Sequence, residues 1–187
     1  MTNLPTLFQS GTIVPRMGED KKEMDNTVAI EHIMKWFDNR IPIRYKEEPK
    51  IKPLDISDRV IIIKSGTGSG KSTSLPPNFY LRFKKRLNKG IIVTQPRVLT
   101  AIEIPKTIDS IPAYKIPNKE GLSIELYKNL GYQTKEFVRK GIYKGILFTT
   151  TGILLQFLKS MTDEDFINKY AFILIDEVHD RTLEVDL

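Results

Sequence analysis

Residues 65–73 combine the residue types that a phosphate-binding loop needs, in the order it needs them. They read Ser-Gly-Thr-Gly-Ser-Gly-Lys-Ser-Thr and follow the apolar run 60–63, which predicts a buried strand leading into a glycine-rich turn. Glycines let consecutive backbone N–H groups face one anion, and a helix beginning there adds the positive end of its dipole. Lys71 could then reach the β- and γ-phosphates of a nucleotide, and the Ser72 hydroxyl could bind Mg²⁺. The segment therefore predicts a site for a nucleoside triphosphate with its metal ion.

The same glycines come close to the spacing of a dinucleotide-binding loop. That loop needs its third glycine one residue later than Gly70, and it needs an acid at the end of the next strand. The next predicted strand ends in Gln95-Pro96-Arg97, where no acid is found. We therefore reject a nicotinamide or flavin site.

A second apolar run, 172–175, ends in two carboxylates, Asp176 and Glu177. Asp176 could hold Mg²⁺ through its water shell opposite Ser72, and Glu177 could orient and deprotonate an attacking water. Both groups must be in line with the γ-phosphate for phosphoryl transfer. An Asp-Glu pair after a strand is by itself usually a solvated turn. Placed downstream of Lys71 and Ser72, it indicates hydrolysis of a nucleoside triphosphate.

The elements that must position these residues alternate between strand and helix. This alternation predicts an α/β fold in which a parallel, doubly wound sheet is covered by helices. Strands 59–64 and 172–175 are apolar throughout, as expected where both sheet faces are covered. The predicted strands are 59–64, 90–94, 145–149 and 172–175, and the predicted helices are 71–87, 97–109 and 151–160. Between them, Pro112 and Pro117 mark a predicted loop, and we expect 122–129 to be helical and 130–134 to be a short strand.

The N-terminal part differs in composition from the rest. Residues 1–25 lack periodicity, 27–38 have the apolar spacing of an amphipathic helix, and 40–54 contain three prolines among charged residues. We therefore expect an N-terminal extension, residues 1–54, followed by one nucleotide-binding domain, residues 55–187.

Polar segments follow each predicted strand of this domain. Gln95-Pro96-Arg97 comes after strand 90–94, and Thr150-Thr151-Gly152 comes after strand 145–149. Because ligands bind outside the carboxyl ends of parallel strands, we expect these segments to meet the phosphate loop and the acids at one edge of the sheet.

Composition limits the other possibilities. The 187 residues carry a formal net charge of +6, which favours an anionic partner such as nucleic acid. The chain has no cysteine, which excludes disulfides and zinc-thiolate sites, and its two histidines, His32 and His179, are far apart. The sequence shows no signal peptide and no apolar run long enough to span a bilayer, so we expect a soluble cytoplasmic protein without a membrane partner.

Four motifs together resemble the first half of a DEAH-box RNA helicase, a superfamily 2 motor. Gly131-Tyr132-Gln133 also matches a segment that this family carries. Within the family, the chain is most similar to the RNA helicases of large cytoplasmic DNA viruses of the African swine fever virus type, for which host cytoplasm or virion would be the location. The four motifs are segments 67–72, 94–97, 149–155 and 176–183.

The resemblance implies a role for each matching residue. It implies a RecA-like P-loop domain that uses ATP, and other nucleoside triphosphates, with Mg²⁺ held by Ser72 and Asp176. Catalysis would involve Glu177, Asp176 and His179, the last linking the γ-phosphate to a partner domain. The implied nucleotide-binding residues are Gly66, Thr67, Gly68, Ser69, Gly70, Lys71, Ser72 and Thr73. The implied contacts to the RNA backbone, with DNA also possible, are Thr94, Gln95, Arg97, Thr150 and Thr151.

Two departures from the family pattern bear on function. The family often places an arginine beside the nucleotide base, where this chain reads Glu103-Ile104-Pro105, so we expect little selection among bases. The family also continues into a second RecA-like domain that carries arginine fingers. We therefore expect residues 1–187 to be an incomplete RecA-like domain that is inactive alone.

Two rival functions remain. A nucleotide-binding regulatory module would share these motifs without turnover. A P-loop kinase would need an arginine-rich lid and has no use for the 94–97 and 176–179 segments.

Overall fold

The computed structural model describes residues 26–38, 63, 70–139 and 144–178, and it divides the chain into two compact units, residues 1–71 and 72–187. In the first unit, helix α1 spans Asn26–Asp38, which confirms the predicted helix. Its Ile33 and Met34 side chains are buried. The predicted strand 59–64 and the boundary between residues 54 and 55 lie outside the described residues.

The second unit alternates strands and helices, as predicted. Helix α2 begins at Lys71, the last residue of the first unit, and its remaining residues, 72–87, belong to the second unit. The elements are α2 Lys71–Leu87, β1 Gly90–Gln95, α3 Val98–Asp109, α4 Pro112–Lys115, β2 Leu130–Gln133, β3 Val138–Arg139, β4 Ile146–Thr150, α5 Thr151–Ser160, α6 Asp163–Lys169 and β5 Tyr170–Ile175.

The strands form a sheet in the order β3-β2-β4-β1-β5. Strands β2, β4, β1 and β5 are parallel neighbours, and the short β3 pairs antiparallel with β2. The connection from β1 through α3 runs towards β2, whereas the connection from β4 through α5 and α6 runs towards β5. Because such crossovers are right-handed, connections in opposite directions cover opposite faces of the sheet. The predicted doubly wound α/β fold of RecA-like type is confirmed.

The two faces of the sheet have separate apolar cores. On one face, Phe79 and Phe83 of α2 pack against Phe172 of β5, with ring centroids 4.8 and 5.5 Å apart. On the other face, Ile92 of β1 packs with Leu154 of α5 and Phe166 of α6. These contacts hold α2 on one face of the sheet, so that its N-terminal end reaches the carboxyl edge near β5.

Three segments differ from the prediction. The loop that Pro112 and Pro117 mark contains the short helix α4, Pro112–Lys115, with proline in its first turn. Residues 122–129 are not helical, because the Asn129 side chain accepts a hydrogen bond from the Glu125 N–H at 2.8 Å and donates one to the Ser123 carbonyl at 2.7 Å. Such local side-chain bonds compete with the bonds of a helix. Helix α6 was not predicted, although its start carries a clear signal. Thr162 caps it by accepting a hydrogen bond from the Asp165 N–H at 3.2 Å, and the first turn is acidic.

Strand β5 is less covered than its apolar sequence predicts. Among the described residues, the side chains of Ile173 and Ile175 are 45% and 49% exposed. Their neighbours Phe172 and Leu174 lie on the opposite face, towards α2. No helix in the described part of the chain is both long enough and apolar enough to cross a membrane.

Candidate nucleotide and metal site

Three polar residues lie level with one another at the carboxyl edge of the sheet. Gln95 of β1 pairs with Thr150 of β4, and Thr94 pairs with Ile175 of β5. Asp176 follows Ile175 directly, so Asp176 lies on one side of Gln95 and Thr150 lies on the other. The predicted convergence of the β1, β4 and β5 ends at one edge is thus observed within the second unit.

The Asp176 carboxylate is the centre of this edge. Its Oδ2 atom accepts hydrogen bonds from the Ser72 hydroxyl, at the start of α2, and from Gln95 Nε2 at 2.8 Å. Its Oδ1 atom accepts a hydrogen bond from the Glu177 N–H at 2.9 Å. Two segments that are distant in sequence from Asp176 therefore hold its carboxylate: Ser72 is 104 positions away and Gln95 is 81 positions away.

These donor atoms fit Mg²⁺, which prefers hard oxygen ligands and is usually held by one or two carboxylates together with substrate phosphates. Ser72 supplies a hydroxyl oxygen and Asp176 a carboxylate oxygen. The described residues include no group of three or more His, Cys, Asp or Glu side chains that could bind a metal by themselves. This donor set therefore suits a metal ion that arrives with a nucleotide.

Two backbone conformations in the described residues of the predicted site are unusual. Glu177 has φ of 53°, the left-handed region that a non-glycine residue rarely adopts. Such strain is common at functional turns. In the first unit, Gly70 has φ of 78°, which explains why glycine ends the loop directly before α2.

The residues predicted to contact RNA fall into two groups. Arg97 is exposed, and Thr150 and Thr151 are half-buried at the start of α5. Thr150 is the N-cap residue of α5, although its side chain makes no capping hydrogen bond. Thr94 is fully buried and Gln95 is 2% exposed, so neither presents its side chain to a strand in the described structure.

The remaining predicted site residues are distributed as follows. Lys71 and Thr73 lie in the first turn of α2. Gly66, Thr67, Gly68, Ser69 and His179 lie outside the described residues.

One part of the edge was not predicted. Strands β2 and β3 form a hairpin whose turn, 134–137, lies at the carboxyl end of β2 and exposes Lys135 and Phe137. The turn is closed by a hydrogen bond from the Thr134 N–H to the Phe137 carbonyl at 2.7 Å. The polar Thr134-Lys135-Glu136 segment after an apolar strand was the available signal.

Comparison with known proteins gives these features a context. The chain is 39% identical, over 98% of its length, to the B962L protein of African swine fever virus (isolate Tick/South Africa/Pretoriuskop Pr4/1996), whose name proposes an RNA helicase. It is 36% identical, over 78% of its length, to the ATP-dependent RNA helicase TDRD9 of Homo sapiens. The predicted similarity to RNA helicases is therefore confirmed, and the chain is a relative of these proteins.

The matched region is a small part of these relatives. The chain spans 18% of the length of the viral protein and 10% of the length of the human one. No protein-family model matches the chain. The DEAH subtype stays a prediction.

Two neighbouring threonines at the end of β4 provide a test of this geometry. Thr149 is fully buried and its hydroxyl donates to the Gln133 carbonyl at 2.8 Å, whereas Thr150 is half-buried at the edge. Thr149→Val should lower the free energy of unfolding by about 1–2 kcal/mol, because the Gln133 carbonyl loses the donor that the buried Thr149 side chain supplies. The matched control Thr150→Val should change it by less than about 0.5 kcal/mol. Urea denaturation measures the free energy of unfolding of both variants. Equal losses would contradict the difference in burial and hydrogen bonding between Thr149 and Thr150.

Proposed function

We propose that this chain is the nucleotide-hydrolysing part of a DEAH-type RNA helicase, which couples hydrolysis of a nucleoside triphosphate to movement along RNA in the cytoplasm. The hydrogen bond between Ser72 and Asp176 carries the proposal. It joins the residue after the phosphate-loop lysine to the acid after a distant parallel strand. This pairing is what a shared site for Mg²⁺ and triphosphate requires.

Each residue of the site has a distinct role in this proposal. Lys71 and the backbone N–H groups of the preceding loop bind the phosphates, and α2 directs its positive end towards them. Ser72 and Asp176 hold Mg²⁺, which when bound neutralises negative charge on the phosphates. Glu177 orients the attacking water and accepts its proton. His179 connects this site to a second RecA-like domain, the source of arginine fingers in the resembling family.

The RNA-binding part of the site lies on the other side of Gln95. Arg97, Thr150 and Thr151 carry the charge and hydroxyl groups that suit phosphate and sugar contacts rather than base recognition. Their position at the ends of β1 and β4 places them on the same edge as Asp176. The names of the relatives support RNA over DNA as the partner.

Substitution of the phosphate and acid residues tests the catalytic half of this proposal. In the full-length protein, Lys71→Ala should weaken nucleotide binding about 10- to 100-fold, because a charged hydrogen bond is lost. Glu177→Gln should preserve binding but slow hydrolysis by about 10²–10⁴-fold, because the water loses its base. Titration with a fluorescent nucleotide and an assay of phosphate release measure the two effects.

Glu120→Gln is the matched control, since Glu120 is exposed in a turn and should leave both quantities unchanged. Wild-type hydrolysis by Glu177→Gln would contradict the role of Glu177. Nucleotide binding without any hydrolysis by the wild-type protein, with RNA present, would favour a regulatory module instead.

Substitution of Arg97 tests the RNA-binding part of the proposed function. Arg97→Ala should lower RNA-stimulated hydrolysis more than basal hydrolysis, because a backbone phosphate contact is lost. The dependence of log affinity on log salt should become shallower by about 0.7, the value for one phosphate of a single strand. Arg82→Ala is the control, since Arg82 is also exposed but lies in the C-terminal half of α2. If both variants retain wild-type RNA stimulation and salt dependence, Arg97 does not contact RNA.

A further inference from the structure

Gln95 is a buried amide at the centre of the candidate site. Its side chain is 2% exposed, although it lies at the end of a strand that leads directly to the exposed Arg97. Gln95 Nε2 donates to Asp176 Oδ2 at 2.8 Å. An ionised carboxylate only accepts hydrogen bonds, so the amide nitrogen must be the atom that faces it.

Strand β1 holds Asp176 through its backbone as well as through this side chain. The Asp176 N–H donates to the Thr94 carbonyl at 3.3 Å, and Gln95 is the next residue of the strand. One strand end therefore fixes both the main chain and the carboxylate of the acid. Together with the bonds from Ser72 and from the Glu177 N–H, three of about four acceptor positions on the carboxylate are used.

We propose that Gln95 is a positioning residue that orients the Asp176 carboxylate for Mg²⁺, rather than a contact to RNA. The inference rests on the proposed function, since it assigns a role within the same metal site. Partners of this kind fix the direction in which a ligand presents its remaining lone pairs, and their loss weakens metal binding. A side chain this buried cannot reach a nucleic-acid strand while it holds the acid.

The position of Gln95 also connects the two halves of the site. Its backbone pairs with Thr150 of β4, on the proposed RNA side, and its side chain reaches Asp176, on the proposed metal side.

The test measures metal affinity without turnover. In the full-length protein, Mg²⁺ is titrated into a mixture with a fluorescent, non-hydrolysable ATP analogue. Gln95→Met keeps the length of the side chain but removes the donor, and it should raise the Mg²⁺ concentration for half-maximal binding by about 10- to 100-fold. Gln95→Leu also removes the donor without adding charge, so it should raise the same Mg²⁺ midpoint. This second variant keeps the test valid if Gln95→Met does not fold.

The matched control is Gln133→Met, at the end of strand β2, which is separated from β1 by β4; it should leave the Mg²⁺ midpoint unchanged. A second readout separates this role from RNA contact. Without nucleotide, Gln95→Met should bind single-stranded RNA with wild-type affinity, whereas Arg97→Ala should bind it more weakly.

The outcomes distinguish this inference from the proposed function. A wild-type midpoint for both Gln95 variants, in a protein that binds Mg²⁺ and nucleotide normally, overturns the role of Gln95 alone. Loss of RNA affinity with an unchanged Mg²⁺ midpoint overturns it as well and makes Gln95 an RNA contact. If the wild-type protein binds no nucleotide with Mg²⁺, the proposed function fails and this inference fails with it.

Discussion

The hydrogen bond between the Ser72 hydroxyl and the Asp176 carboxylate is the constraint on which the described site depends. It requires the first turn of α2 and the end of β5 to meet at one point, although 104 positions separate them. The ring contacts of Phe79 and Phe83 with Phe172 bring this about, because they hold α2 against β5. The apolar core thus determines where two polar side chains meet.

The parallel sheet places further polar residues beside Asp176, at the ends of the neighbouring strands. In a parallel pair each strand presents its carboxyl end at the same edge, so the ends of β4, β1 and β5 form one continuous rim. The register places Thr150, Gln95 and Asp176 in a row. Metal binding is proposed at one end of the row and RNA binding at the other, with Gln95 between them. The distance between the two functions is therefore only two strand spacings, roughly 10 Å.

Much of this architecture could be predicted from the sequence because its signals are local. The apolar runs and the polar residues that follow them give the strands and the edge at which Asp176 lies. The partner of Gln95 could not be predicted, since it depends on the register between neighbouring strands rather than on any motif. The helix predicted over residues 122–129 was wrong for a local reason. Hydrogen bonds of the Asn129 side chain to the backbone of Ser123 and Glu125 replace the bonds of a helix.

In the proposed site, Ser72 and Asp176 together hold one metal ion that binds with a nucleotide. A crystal structure of the full-length protein with Mn²⁺ and a non-hydrolysable ATP analogue tests it most directly, because Mn²⁺ replaces Mg²⁺ and is located by anomalous scattering. We expect one anomalous peak bound by the Ser72 hydroxyl, with Asp176 in its coordination or water shell and Gln95 still hydrogen-bonded to Asp176. Bound nucleotide with a Mn²⁺ peak that contacts neither Ser72 nor Asp176 would contradict it.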